Sequence, residues 1–95
     1  MNHLEEVKRM VLKGLRGHRA KVCLFGSRAR GDAARFSDID VGVLPLEPLP
    51  PGLLSAIREE LEESNVPFRV DLVDLSDAGS TFRERVEKEG QLWTD

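Results

Sequence analysis

The chain has 95 residues, of which 40% are hydrophobic and 33% charged, the balance of a soluble globular protein and a length that supports one small domain, residues 1–95, without a second lobe. Its 14 lysines and arginines against 17 acids leave a net charge of −3, which argues against nucleic acid as the main partner, since that needs a strong basic footprint. The single cysteine, Cys23, excludes a disulfide framework and a cysteine-rich zinc site, and no apolar run approaches the roughly 20 residues of a membrane span.

The N-terminus carries Glu5 and Glu6 where a signal peptide would be basic and then apolar, so the expectation is a cytoplasmic protein. Leu4, Val7, Met10 or Val11, and Leu15 recur at helical spacing with charged residues between them, which predicts an amphipathic helix over about 2–16. Ala20 to Phe25 contains the continuous apolar run Val22-Cys23-Leu24-Phe25 and reads as a strand buried on both faces, ending at Gly26, with Cys23 a small core residue. Residues 26–37 show no hydrophobic period and read as a loop or a short helix. Ile39, Val41 and Val43 alternate with Asp38, Asp40 and Gly42, the period of a half-buried strand.

Pro45 to Pro51 is a loop, with Pro51 suited to the first position of the following helix. That helix takes its apolar face from Leu53, Leu54, Ile57 and Leu61 and ends near Ser64. Phe68 to Asp74 reads as a third strand. Thr81 and Glu84 form a capping-box pattern that opens a short charged helix ending at Gly90. Trp93 either closes the core or presents an apolar anchor to another chain, and core closure is preferred. No segment repeats, and His3 and His18 have no partner at metal-ligand spacing. The order is that of a compact α/β or α+β domain.

The chemistry lies in Gly26-Ser27-Arg28-Ala29-Arg30-Gly31 and, after five residues, Ser37-Asp38-Ile39-Asp40. Asp32 follows Gly31 where a phosphate loop of the GxxxxGK[ST] kind needs lysine, and Ser27-Arg28 lacks the second glycine of a dinucleotide fingerprint. Gly26 permits close backbone approach to a ligand. Turn N–H groups from Ser27 to Ala29 suit an anion, and Arg28 and Arg30 add forked charge that matches phosphate oxygens. A tight turn with surface arginines explains the fragment alone equally well. Arg35 is a loop arginine within reach of phosphate or acceptor, with simple exposure favoured.

One residue apart on a strand, Asp38 and Asp40 project from the same face, about 7 Å apart along the chain. Two such carboxylates can converge on a hard cation, and Gly42 leaves room beside them. Taken singly, Asp38 also reads as a turn residue and Asp40 as part of a solvated strand face. On the third strand Val70 and Leu72 take one side, so Asp71 points to the other. If that strand lies beside the Asp38/Asp40 strand, Asp71 completes a three-carboxylate cluster whose self-repulsion calls for cations. Asp71 is preferred to Asp74, which has the position of a turn or cap residue.

Gly26-Ser27-x-x-Arg30-Gly31 followed by Ser37-Asp38-x-Asp40 resembles the signature of the DNA polymerase β-like nucleotidyltransferase superfamily, and the short length resembles its minimal nucleotidyltransferase (MNT) members. The tight match spans about 18 residues plus the Asp71 strand. The resemblance implies a small mixed sheet flanked by helices, the palm of that superfamily, and transfer of a nucleoside monophosphate, AMP from ATP, onto an acceptor hydroxyl. It implies Asp38, Asp40 and Asp71 as catalytic residues and ligands of magnesium, two ions, with Gly26 and Ser27 on the triphosphate. MNT proteins also resemble the antitoxin half of toxin–antitoxin pairs whose other half is a helical HEPN-domain ribonuclease. The expected acceptor is such a partner, and the alternative is an NTP-binding module that neutralises the partner by occlusion alone. Homo-oligomerisation and the identity of the base stay open.

Overall fold

The computed structural model describes residues 3–31 and 37–94. Helix α1 (His3–Gly14) carries Glu5 and Glu6 in its first turn and Lys13 in its last, each matched to the helix dipole. Strand β1 (Ala20–Phe25) leads through Gly26 into the four-residue helix α2 (Ser27–Arg30). Strand β2 (Ile39–Pro45), helix α3 (Leu53–Glu63) and strand β3 (Val70–Asp74) follow. A 3-10 turn (Leu75–Asp77), helix α4 (Ser80–Glu89) and a two-residue strand β4 (Gln91–Leu92) complete the order.

The four strands form one mixed sheet in the order β3-β2-β1-β4. β1 is antiparallel to β2 and β4, and β2 is parallel to β3. The parallel pair requires a crossover, which α3 supplies. One face of the sheet presents Val22, Leu24, Ile39, Val41, Val43 and Leu72 to Val7, Val11 and Leu15 of the α1 segment and to Ile57 and Leu61 of α3, all buried. Each such side chain contributes about 1.5–3 kcal/mol over an exposed one. Gly14 lets the two helices close, because a Cβ there would meet Ile57 at 2.6 Å. The opposite face is covered only in part, by Leu75 of the 3-10 turn and Val86 of α4.

The expected α/β architecture of a mixed sheet flanked by helices is the one observed, with five local differences. β1 is buried on one face only, with Val22 and Leu24 in the core and Cys23 and Phe25 half-buried on the other face, which α4 and the 3-10 turn cover only in part. α4 starts at Ser80 with Gly79 as its N-cap and no side-chain cap bond, so the Thr81–Glu84 capping box is not formed. α3 starts after Gly52, whose φ of 83° sets the entry turn, which leaves Pro51 outside the helix. Gly42 does not leave open room: the space beside it is filled by Leu75 and the Cys23 sulfur, which a Cβ would meet at 2.9 and 3.3 Å. Finally, β4 is an element without a sequence signal. Beyond it Trp93 packs against the core while its N–H donates to the Val22 carbonyl at 2.7 Å, and the Thr94 hydroxyl accepts from the Val22 N–H at 3.2 Å. Among the described residues no helix is long and apolar enough to cross a membrane.

Candidate active site

The site grows from the end of β1. Gly26 has φ 76° and ψ −158°, a conformation that favours glycine, and its carbonyl accepts from the N–H groups of Ala29 and Arg30 at 3.1 and 3.2 Å. α2 stops after one turn because Gly31, at φ 81°, reverses the backbone and donates to the Ser27 carbonyl. The first N–H groups of a helix have no intrahelical acceptor, so those of Ser27 and Arg28 are available to an anion. Gly26 is also tight in space, since a Cβ on it would run into the Asp40 carboxylate. Glycine is therefore required twice, by the backbone and by its neighbour.

Asp40 lies at the centre of the row. Its Cα partners are Phe25 on β1 and Asp71 on β3, and paired residues share a face of a sheet. Asp38 stands just before β2, exposed like Asp71, whereas Asp40 is half-buried. Burial, and then the charges of Asp71 and Asp38, push the Asp40 carboxyl above the usual carboxylate range, with Arg30 pulling the other way. The three predicted acids are thus neighbours on the open face. Among the described residues no three His, Cys, Asp or Glu side chains close to metal-ligating range. The donor set is nevertheless all oxygen, which fits a hard cation, and an added positive charge would relieve the repulsion that Asp40 bears.

Asp74 is occupied elsewhere: its carboxylate accepts from the N–H and hydroxyl of Ser76 at 2.9 and 2.6 Å, capping the 3-10 turn. Arg28 has protein contacts of its own. Its Nε and Nη2 both donate to the Ser37 carbonyl, at 3.1 and 2.7 Å, and its guanidinium lies 4.5 Å over the Phe68 ring. Those contacts fasten α2 to the residue before Asp38, so Arg28 supports both halves of the motif. Arg30 stands nearer the acids and approaches Glu89 at 4.0 Å. Arg35 lies outside the described residues. Sequence reasoning did not find Phe68 as the platform for Arg28, nor Gln91, whose Nε2 donates to the Ala29 carbonyl at 3.3 Å. Both contacts depend on strand and tail placement, for which the sequence carries no local mark.

A family model described as polymerase beta, nucleotidyltransferase matches residues 16–94. The chain belongs to this nucleotidyltransferase family. Two curated relatives are similar to it. One, named protein adenylyltransferase MntA, of Shewanella oneidensis, is 37% identical over an alignment of 100 residues that covers 98% of this chain and 68% of the relative. The other, named a probable protein adenylyltransferase MntA, of Haemophilus influenzae, is 39% identical over 67 residues, 70% of this chain. This nucleotidyltransferase chain spans 59% of the Haemophilus relative's length. Among solved structures, a complex of a tri-AMPylated Shewanella oneidensis HEPN toxin with its MNT antitoxin contains a similar chain. The TM-score is 0.66 at 25% identity, over 95% of this chain and 71% of that one.

Proposed function

We propose that this nucleotidyltransferase moves AMP from ATP onto a hydroxyl of a HEPN-type partner protein and thereby acts as its antitoxin, in the cytoplasm, with residues 1–95 as one minimal domain. The family, the names of its relatives and the AMPylated toxin in a similar complex support this reading. Within the chain, the observation that carries it is the contact of Gly26 with Asp40, which joins the anion-ready turn directly to the row of acids.

That contact supports the roles that the family resemblance implies. The N–H groups and hydroxyl at Gly26 and Ser27, with the charge of Arg30, hold the triphosphate. The acceptor oxygen attacks the α-phosphorus, the bond to the bridging oxygen of the β-phosphate breaks, and pyrophosphate leaves. Asp71, exposed at the outer strand, accepts the hydroxyl proton and passes it to water. Asp38, Asp40 and Asp71 would hold magnesium, two ions by the resemblance, which when bound neutralises phosphate charge and lowers the pKa of the hydroxyl. Positioning supplies much of the rate, as in phosphoryl transfer generally. With a net charge of −3, the protein is not built to capture nucleic acid by bulk electrostatics.

Intact-mass spectrometry of the HEPN-type partner, incubated with this protein, ATP and magnesium, tests the proposal. The expected result is a gain of whole AMP units that disappears with Asp40→Asn. Inhibition of the partner without a mass change, and equally by the variant, would replace transfer with occlusion.

A further inference from the structure

The triphosphate and the acids leave the rest of the nucleotide unplaced. The strand order gives directions to the site. Asp71 on β3, Asp40 on β2 and the Phe25–Gly26 end of β1 form a row across neighbouring strands. In a displacement at phosphorus the attacking and leaving oxygens stand roughly in line. With the hydroxyl at Asp71 and the triphosphate at Gly26, that line runs along the row. The nucleoside is the remaining bulky group on the α-phosphorus, so it must leave the line, and the sheet blocks one side. It rises over the open face.

α4 flanks that face, and from its first turn Phe82 presents a ring that is 39% exposed. The ring meets Phe25 at 5.8 Å between centroids with the planes at 87°. A perpendicular pair covers at most one face of either ring, so Phe25 leaves a face of Phe82 uncovered. Phe25 is both the residue before Gly26 and the Cα partner of Asp40. Just beyond the helix, Gln91 Nε2 donates to the Ala29 carbonyl at 3.3 Å, which links the end of α4 to the phosphate turn. The fold thus sets the place of Phe82 relative to that turn.

We infer that Phe82 is the platform on which the nucleobase of the triphosphate stacks, braced by Phe25; the inference rests on the nucleotidyl-transfer reading. Any base has a π face, so such a platform recognises the class of ligand rather than one base, and a purine covers more of it than a pyrimidine. ATP and GTP should bind alike at this ring, with the larger penalty falling on CTP and UTP.

Calorimetric titration of the full chain tests this, with wild type, Phe82→Ala, Phe82→Leu and Phe82→Tyr each titrated with ATP, GTP and inorganic tripolyphosphate in magnesium. Phe82→Ala should bind ATP and GTP about ten- to a hundredfold more weakly and tripolyphosphate as wild type does. Phe82→Leu keeps the apolar contact with Phe25, so it should fold normally and share the nucleotide defect, while Phe82→Tyr should restore affinity. Unchanged ATP affinity in Phe82→Leu overturns the inference. So does a parallel loss of ATP and tripolyphosphate, which would mean that the ring only shapes the turn. In either case, wild-type binding of tripolyphosphate that is lost in Asp40→Asn leaves the transfer reading standing. Wild-type protein that binds neither ATP nor tripolyphosphate overturns both.

Discussion

The two faces of the sheet are made of alternate residues of the same strands, and they differ in almost every physical respect. On the covered face Ile39, Val41 and Val43 are 0% exposed and belong to the hydrophobic core. One residue along, on the other face, Asp40 is half-buried among like charges and its carboxyl is pushed upward. The pleat makes the division possible, since successive side chains point to opposite sides. The lesson is that the core does not merely support the site. It holds in register three carboxylates that would otherwise separate.

If that division is real, damage to one face should register as stability and damage to the other as chemistry. The largest effect belongs to the covered face: Leu24→Ala should lower the unfolding free energy by about 2–5 kcal/mol, measured by urea titration. Loss of less than a surface substitution would show that this face is not the core. Next, Asp40→Asn should reduce transfer at least about a hundredfold, on the scale of removing a major electrostatic stabiliser, while the protein still folds. Wild-type activity in that variant would take the chemistry away from the open face.

Arg28 sharpens the comparison because it belongs to the motif in sequence and to the scaffold in space. Arg28→Ala should destabilise the fold by about 1–3 kcal/mol through loss of the bonds to Ser37 and the stacking on Phe68. Arg30→Ala should lower the melting temperature less than Arg28→Ala does and raise the KM for ATP, its approach to Glu89 being exposed. An Arg28 variant of normal stability but poor nucleotide binding would return this residue to the phosphates.

The smallest effect is one of pH. The folded protein holds the Asp40 proton more tightly than the unfolded chain does, so the group contributes stability below its ordinary carboxylate value. That contribution is lost as pH rises through the raised value. Metal-free Asp40→Asn should therefore be at least as stable as wild type at neutral pH, and its stability should fall less with rising pH across the acid range. Paired melting curves over that range check the sign.

Much of this division was legible in the sequence, because periods of two and of 3.6 residues are local. The alternation from Asp38 to Val43 separated the acids from the apolar residues, and the Gly26–Gly31 spacing marked a turn. What was not legible depended on who lies next to whom. The pairing of Asp40 with both Phe25 and Asp71 follows from strand order, and the contact of Gly26 with Asp40 follows from that pairing. β4 is two residues long, too short for any period to show. Thr81 and Glu84 have cap chemistry, but the chain enters α4 two residues too early to use it, with Gly79 at the N-cap. The bonds of Arg28 to the Ser37 carbonyl were not legible either, because composition cannot distinguish a guanidinium facing a substrate from one facing a carbonyl.

Strand β3, which carries Asp71, is an outer strand of the sheet, and a bare outer strand invites a neighbouring molecule to extend the sheet. From α3, Arg58 places Nε and Nη2 on the Leu72 carbonyl at 3.1 and 2.8 Å. A positive charge and an occupied acceptor thus stand where an aggregating strand would begin to pair. The protein keeps Asp71 exposed on its outer strand without leaving that strand bare as a seed for polymerisation.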